Sequence, residues 1–353
     1  MNSIVITSAV RTPIGKLGGS LSSLSAHELG AKVISESIRR SKIAPEDVSE
    51  VVMGQVLTAG AGQNPARQAA VGAGIPYQAT AMGVNQICGS GLRAVVMAYQ
   101  ALLEDDHGVI IAGGQESMSQ SPHALAMRKG TKLGNTQMVD TMIRDGLWDA
   151  FHDYHMGQTA ENVARDWKIS RTEQDEFAKR SQELASNASN KGYFHEEMIP
   201  ITLQERKGEV LIHHDEDIRE ETTAEGLSRL RPVFQKEGGT VTAGNSSGLN
   251  DGAAALTLMR AESAQKRGIS PLGRIVSWAT TGVQPEYMGM GPVTATRKAL
   301  QTAGWKLEEL DLIEANEAFA SQCCAVGREL QWDLNRVNVN GGAIALGHPI
   351  GAS

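Results

Sequence analysis

Three side chains of types able to carry acyl transfer each sit at a sharp bend of the chain. Cys88 opens the run Cys88-Gly89-Ser90-Gly91, where small residues let the backbone turn tightly and approach another group. A thiol at the start of a helix faces the positive end of the dipole and unpaired N–H groups. Such a placement lowers a cysteine pKa from about 8.5 to roughly 3.5–7.5 and favours the nucleophilic thiolate. His348 stands in Gly347-His348-Pro349, and the residue before a proline is pushed away from helical angles, so it lies on a bend. Asn316 begins Asn316-Glu317-Ala318-Phe319-Ala320, directly after the apolar run Leu312–Ala315. A cysteine nucleophile needs a base within hydrogen-bond reach and an amide or N–H group to hold an oxyanion. These three residues supply that set. Each type also has a plainer use: an inert buried thiol, a histidine closing a turn, an asparagine capping a helix. The glycine frame around Cys88 argues for the nucleophile.

Strand-like and helix-like patterns bracket these bends. Ala79–Ile87 reads as extended, and Leu92, Val95, Val96, Tyr99, Leu102 and Leu103 recur at helical spacing. Further strands are expected at Ile4–Val10, Glu50–Val56, Val109–Gly113, Gly273–Trp278 and Leu312–Ala315, alternating with amphipathic helices. That alternation predicts an α/β fold with helix-covered sheets. The stretch from Gln115 to Val241 is polar, rich in His, Met and charge, and broken by Gly and Pro. It reads as an insertion between two α/β halves, giving segments 1–114, 115–241 and 242–353. The halves repeat in order. Ile4–Pro13 resembles Arg274–Val283, and Val84–Gly91 parallels Val337–Ala343 with the Gly347-His348-Pro349 that follows. By that repeat the second half stops at Ser353, where a helix matching Leu92–Leu103 would begin, so the C-terminal half is expected to be incomplete.

The chain of 353 residues can bury a large core. Its net charge is −7 with basic residues interspersed among acidic ones, which excludes a nucleic-acid or membrane footprint. No apolar run reaches the length of a membrane span, and the strand-like Ser3–Thr7 is unlike a signal peptide. Three cysteines, Cys88, Cys323 and Cys324, make no disulfide scaffold, so a cytoplasmic location is expected.

Taken together, Cys-Gly-Ser-Gly at 88–91, Asn-Glu-Ala-Phe-Ala at 316–320 and Gly-His-Pro at 347–349 resemble the signatures of the thiolase family, in its acetyl-CoA C-acetyltransferase branch. Gly62–Arg67, His155-Met156-Gly157 and Thr240–Gly252 match in the same order, so the likeness runs from Ile4 to Ser353. The resemblance implies a duplicated, layered αβαβα fold with an inserted loop domain that binds coenzyme A. It implies the joining of two acetyl-CoA molecules into acetoacetyl-CoA and CoA, or the reverse, through a cysteine acyl-enzyme. Cys88 would be the nucleophile, His348 its base, and Asn316 the residue holding a water that helps stabilise an oxyanion. Leu147, His155, Met156, Arg219, Phe234, Ala243, Gly244 and Ser247 would line the CoA site; Gly226 stands where relatives often have serine. Met288, Ala318 and Phe319 would border a short acyl pocket, although core packing accounts for Met288 and Phe319 equally well.

No cofactor is implied beyond the CoA thioesters, which are substrates. No nucleic acid or membrane partner is implied, and the family points to a homodimer or homotetramer. The family pattern also carries a second catalytic cysteine in a Cys-x-Gly motif that has no counterpart here; Cys323 and Cys324 read as packing residues. Two rival readings follow: an impaired or inactive CoA-binding remnant, and a ketoacyl-synthase-like condensing enzyme, which would need two catalytic histidines.

Overall fold

The computed structural model describes residues 3–104, 108–206 and 208–353. Strand β1 (Ile4–Arg11) is followed by helix α1 (Ala26–Ser41), which starts where Glu28 accepts from the Ser25 N–H and ends at left-handed Lys42. Leu29, Val33, Ile34 and Ile38 recur at helical spacing and form its buried face. Next come β2 (Val48–Gly54), α2 (Pro65–Gly72), β3 (Thr80–Val84), α3 (Ser90–Glu104) and β4 (Val109–Ser117). Helices α4 (Met156–Asp166) and α5 (Arg171–Asn190) and the hairpin β5 (Ile201–Glu205) and β6 (Gly208–Ile212) belong to the middle segment. Strands β7 (Asn250–Arg260) and β8 (Gly273–Arg274) and helices α6 (Gly291–Ala303) and α7 (Ala320–Leu330) follow.

One mixed sheet organises the molecule, in the order β8-β1-β7-β4-β2-β3, with the short Gly15–Lys16 strand also on β7. β1, β7 and β4 run antiparallel in turn; β4, β2 and β3 run parallel. Alternation along the strands sorts their side chains to two faces. Val51, Met53, Ile111 and Ala255 pack under α1 and α2, whereas Ile4, Val52, Ile110, Ala112 and Leu258 pack under α3. β4 is buried along its whole length because both faces are covered.

Several expectations need correcting. β4 runs four residues past Gly113, because its polar end stays in register with β7 as far as Ser117 opposite Asp251. Gly273–Trp278 contributes only Gly273–Arg274, and Leu312–Ala315 is not a strand; Ile313 makes a single bridge to Val337. An extended run becomes a strand only when its N–H and C=O groups find a ladder, and these segments find almost none. Among the described residues there is therefore one main sheet, with α6 and α7 packed beside α4 and α5 rather than over a second one. β7, which follows the middle segment, lies at the centre of the sheet built by the first segment.

Candidate active site

Cys88 occupies the junction between β3 and α3. The turn is tied by side chains: Ile87 N–H donates to Asn85 Oδ1 at 3.0 Å, Gln86 N–H to Ser90 Oγ at 2.8 Å, and Ser90 Oγ–H to Ile87 C=O at 2.6 Å. Ile87 itself lies at φ 49°, a left-handed conformation that a β-branched residue adopts only under strain, costing about 1–2 kcal/mol. That strain sits one residue before the thiol.

The histidine segment reaches this junction over a floor of glycines. A Cβ on Gly54 would lie 2.4 Å from Gly91 N and 2.6 Å from Gly351 O. One on Gly114 would lie 2.4 Å from Gly351 O, and one on Gly91 2.6 Å from Ala352 O. Only glycine at these positions admits the turn after His348 to the top of β2, β4 and α3. Ile350 of that turn packs with Val56, Leu57, Met118 and Leu147 in the cluster against which Cys88 rests.

His348 is buried. Its backbone N–H donates to Asn250 Oδ1 at 2.8 Å, and the Asn250 amide donates onward to Gly15 O and Asp217 Oδ2. Nδ1 lies 2.7 Å from Ser353 Oγ, and Asn316 Nδ2 donates to Nε2 at 3.3 Å. Those partners assign the neutral ring a proton on Nδ1 and a lone pair on Nε2. Burial pushes His348 down to about 4, so at neutral pH it is an unprotonated base. Asn316 caps no helix: α7 begins four residues later, at Ala320. Its neighbour Glu317 is buried and accepts from Ser181 Oγ, Asn338 Nδ2 and Ile344 N–H, which fixes the segment from below.

The lowered thiol pKa expected for Cys88 is corrected. Burial against the apolar cluster pushes it up to about 11, with the Glu116 charge adding to the effect. α3 begins only at Ser90, and desolvation outweighs the dipole. Cys88 is thus a thiol at neutral pH and needs a base at the moment it attacks.

Most of the other expected residues converge. Met156, Phe234, Met288 and Ala318 pack around Ala160, Val241 and Phe319 in one cluster. His155 stacks on Phe234 at 4.7 Å and accepts from the Gly157 N–H through Nδ1; burial lowers its pKa. Ser247 N–H and Oγ–H both donate to Ala318 O, which joins the polar loop to the Asn316 segment. Leu147 lies in the Cys88 cluster, and Gly244 sits under Leu227 and Leu230. Arg219 and Ala243 are exposed, and the Arg219 guanidinium has no hydrogen-bond or ion-pair partner among the described residues. A pocket of about 230 Å³ opens beside Asn316, bounded by Ile14, Gly342 and Gly347. The larger groove, of about 1380 Å³, lies on the α1–α2 face and does not include Cys88. Sequence reasoning missed Glu116, Asn250 and Glu317; polar residues closing otherwise apolar strands or opening a helix junction were the available signal.

Cys323 is fully buried, its pKa raised far above the usual value, and burial pushes Cys324 up to about 12. Among the described residues no cluster of three metal-ligating side chains occurs, and no helix is long and apolar enough to cross a membrane.

Residues 4–262 match the thiolase N-terminal domain and residues 269–353 the thiolase C-terminal domain. The acetyl-CoA acetyltransferase of Shinella zoogloeoides is 58% identical over 351 residues, 99% of this chain and 89% of that protein. That of Paracoccus denitrificans is 56% identical over 100% of this chain and 90% of its own length. The crystal structure of the Bacillus anthracis acetyl-CoA acetyltransferase superposes with a TM-score of 0.96 at 44% identity, covering 100% of this chain and 89% of that one. These matches run through both domains and take in 89–90% of the relatives' own length. The chain belongs to the thiolase family.

Proposed function

We propose that the protein is an acetyl-CoA acetyltransferase in which Cys88 carries the acetyl group. High identity over the whole chain to proteins of that name supports the activity. The observation that carries the residue assignment is the neutral, buried His348, held between Asn316 and Ser353 on the turn that packs against Cys88. As Cys88 Sγ attacks the thioester carbonyl, His348 Nε2 takes the thiol proton. The tetrahedral intermediate then expels the CoA thiolate, which receives that proton and leaves acetyl-Cys88. Asn316 and the N–H groups of the glycine turns supply donors for developing oxyanions. In the second step the α-proton of another acetyl-CoA passes to the vacated His348 Nε2, the α-carbon attacks the acetyl carbonyl, and the expelled Cys88 thiolate takes that proton back, giving acetoacetyl-CoA and the free thiol.

Segment 115–241 serves as the CoA lobe, with His155, Met156 and Phe234 along the pantetheine path and exposed Arg219 toward the nucleotide; the loop that follows it adds Ala243, Gly244 and Ser247 to the same site. The free Arg219 guanidinium suits a phosphate. Met288, Ala318 and Phe319 close the acyl end. The reaction calls for no cofactor, because nucleophile, base and oxyanion donors all belong to the chain. A reducing, cytoplasmic setting agrees with three unpaired cysteines. The half-exposed edge strand β3, with Met82 and the nearby Ile87 and Leu92 open to solvent, supports assembly into a dimer or tetramer. The ketoacyl-synthase reading is not favoured, since His348 alone stands in a glycine turn of this kind. The test of the assignment is transfer of labelled acetyl from acetyl-CoA, expected on Cys88 alone.

A further inference from the structure

Glu116 is fully buried near the end of β4, two residues beyond Gly114 and so on the same face, toward α3 and the His348 turn. Its Oε2 accepts from Val56 N–H at 2.9 Å and Gly351 N–H at 3.0 Å, and its Oε1 from Leu57 N–H at 3.2 Å. Val56 and Leu57 continue β2, and Gly351 follows His348 by three residues. Val56, Leu57 and Ile350 are also apolar neighbours of Cys88. One carboxylate therefore joins, through main-chain donors, the two segments between which the thiol lies. It has no ion-pair partner among the described residues, so structural charge pairing does not account for it.

We propose that Glu116 is a positioning residue, whose carboxylate fixes the His348 turn against the Cys88 pocket and keeps base and thiol in register. The inference rests on the reading of Cys88 and His348 given above. The titratable groups that interact with Glu116 are Asp251 from β7 and Cys88 from the junction before α3; His348 lies three residues before Gly351 on the turn it holds. Burial pushes the Glu116 carboxyl up to about 7, against its three N–H donors, and the charge of Asp251 adds to the rise. Protonation turns one acceptor oxygen into a hydroxyl and loosens the hold on Gly351 or Leu57. Acylation of Cys88 should therefore have an acid limb near 7, well above the value of about 4 for His348.

The test is the single-turnover rate of Cys88 acetylation by labelled acetyl-CoA, measured from about pH 5.5 to about 9 in the parent and in Glu116→Gln. The variant keeps the shape but places an NH₂ group against an N–H donor. It should fold, bind acetyl-CoA within about twofold of the parent, and acetylate on the order of 10²-fold more slowly, with the inflection near 7 gone. A folded variant with the parent rate, or with the inflection retained, overturns the proposal. Should Glu116→Gln not fold, Glu116→Asp keeps the charge but withdraws it by one methylene. It should lose about tenfold or more, and a parent-like rate overturns the proposal equally. Absence of label on Cys88 in the parent would bring down the proposed function and this inference together. A labelled parent with an unaffected variant brings down this inference alone.

Discussion

At the scale of single residues, the site depends on a histidine kept neutral rather than on a thiol kept ionised. Replacing His348 with Ala should slow Cys88 acetylation by about 10²-fold or more, the usual contribution of a positioned base; single-turnover labelling checks this. The same ring should mark the pH dependence of stability. Its folded pKa, about 4, lies below the unfolded value, so between about 4 and 6.5 the unfolded chain binds the extra proton. Stability then falls as pH drops through that window, by up to about 1 kcal/mol per unit. Chemical denaturation at pH 7.5 and pH 5 should show a smaller loss for His348→Ala than for the parent. In the acyl pocket, Met288 and Phe319 share a cluster with Met156 and Phe234. Met288→Ala should raise the rate with longer 3-ketoacyl-CoA substrates relative to acetoacetyl-CoA, and an unchanged ratio would show that Met288 does not limit chain length.

At the scale of elements, the glycines of β2 and β4 decide whether the His348 turn can reach Cys88. A methyl on Gly114 would meet Gly351 O at 2.4 Å and Ala352 Cα at 2.6 Å, both main-chain atoms with little freedom to yield. Gly114→Ala should cost about 1–3 kcal/mol in urea unfolding and slow acetylation in the folded fraction. These elements were unevenly legible. β1 and α3 followed from their periods, and the Cys88 and His348 junctions from glycine and proline; the Asn316 junction was read from the apolar run Leu312–Ala315, which forms no strand. β4 was ended too early because Gly113-Gly114 and Gln115-Glu116-Ser117 look like a turn. Their strand character comes from pairing with β7, whose partner residues lie more than 130 positions away. The raised Cys88 pKa was hidden for a related reason. The dipole is local and readable, but the desolvation that outweighs it comes from Val56, Leu57, Met118, Leu147 and Ile350, gathered only by folding.

At the scale of the whole molecule, one sheet brings residues from both ends of the chain to a single centre. β7 places Asn250 beneath His348, and β4 places Glu116 beneath Gly351. The exposed edge at β3, next to the nucleophile, predicts that the protein sediments as a dimer or tetramer; a monomer at micromolar concentration would contradict that assembly. The central claim concerns the acyl-enzyme itself. Incubation with isotopically labelled acetyl-CoA, followed by peptide mapping, should place the acetyl group on Cys88 and leave Cys323 and Cys324 unmodified, with all label lost in Cys88→Ser. Label on either other cysteine, or label surviving that substitution, would contradict the account.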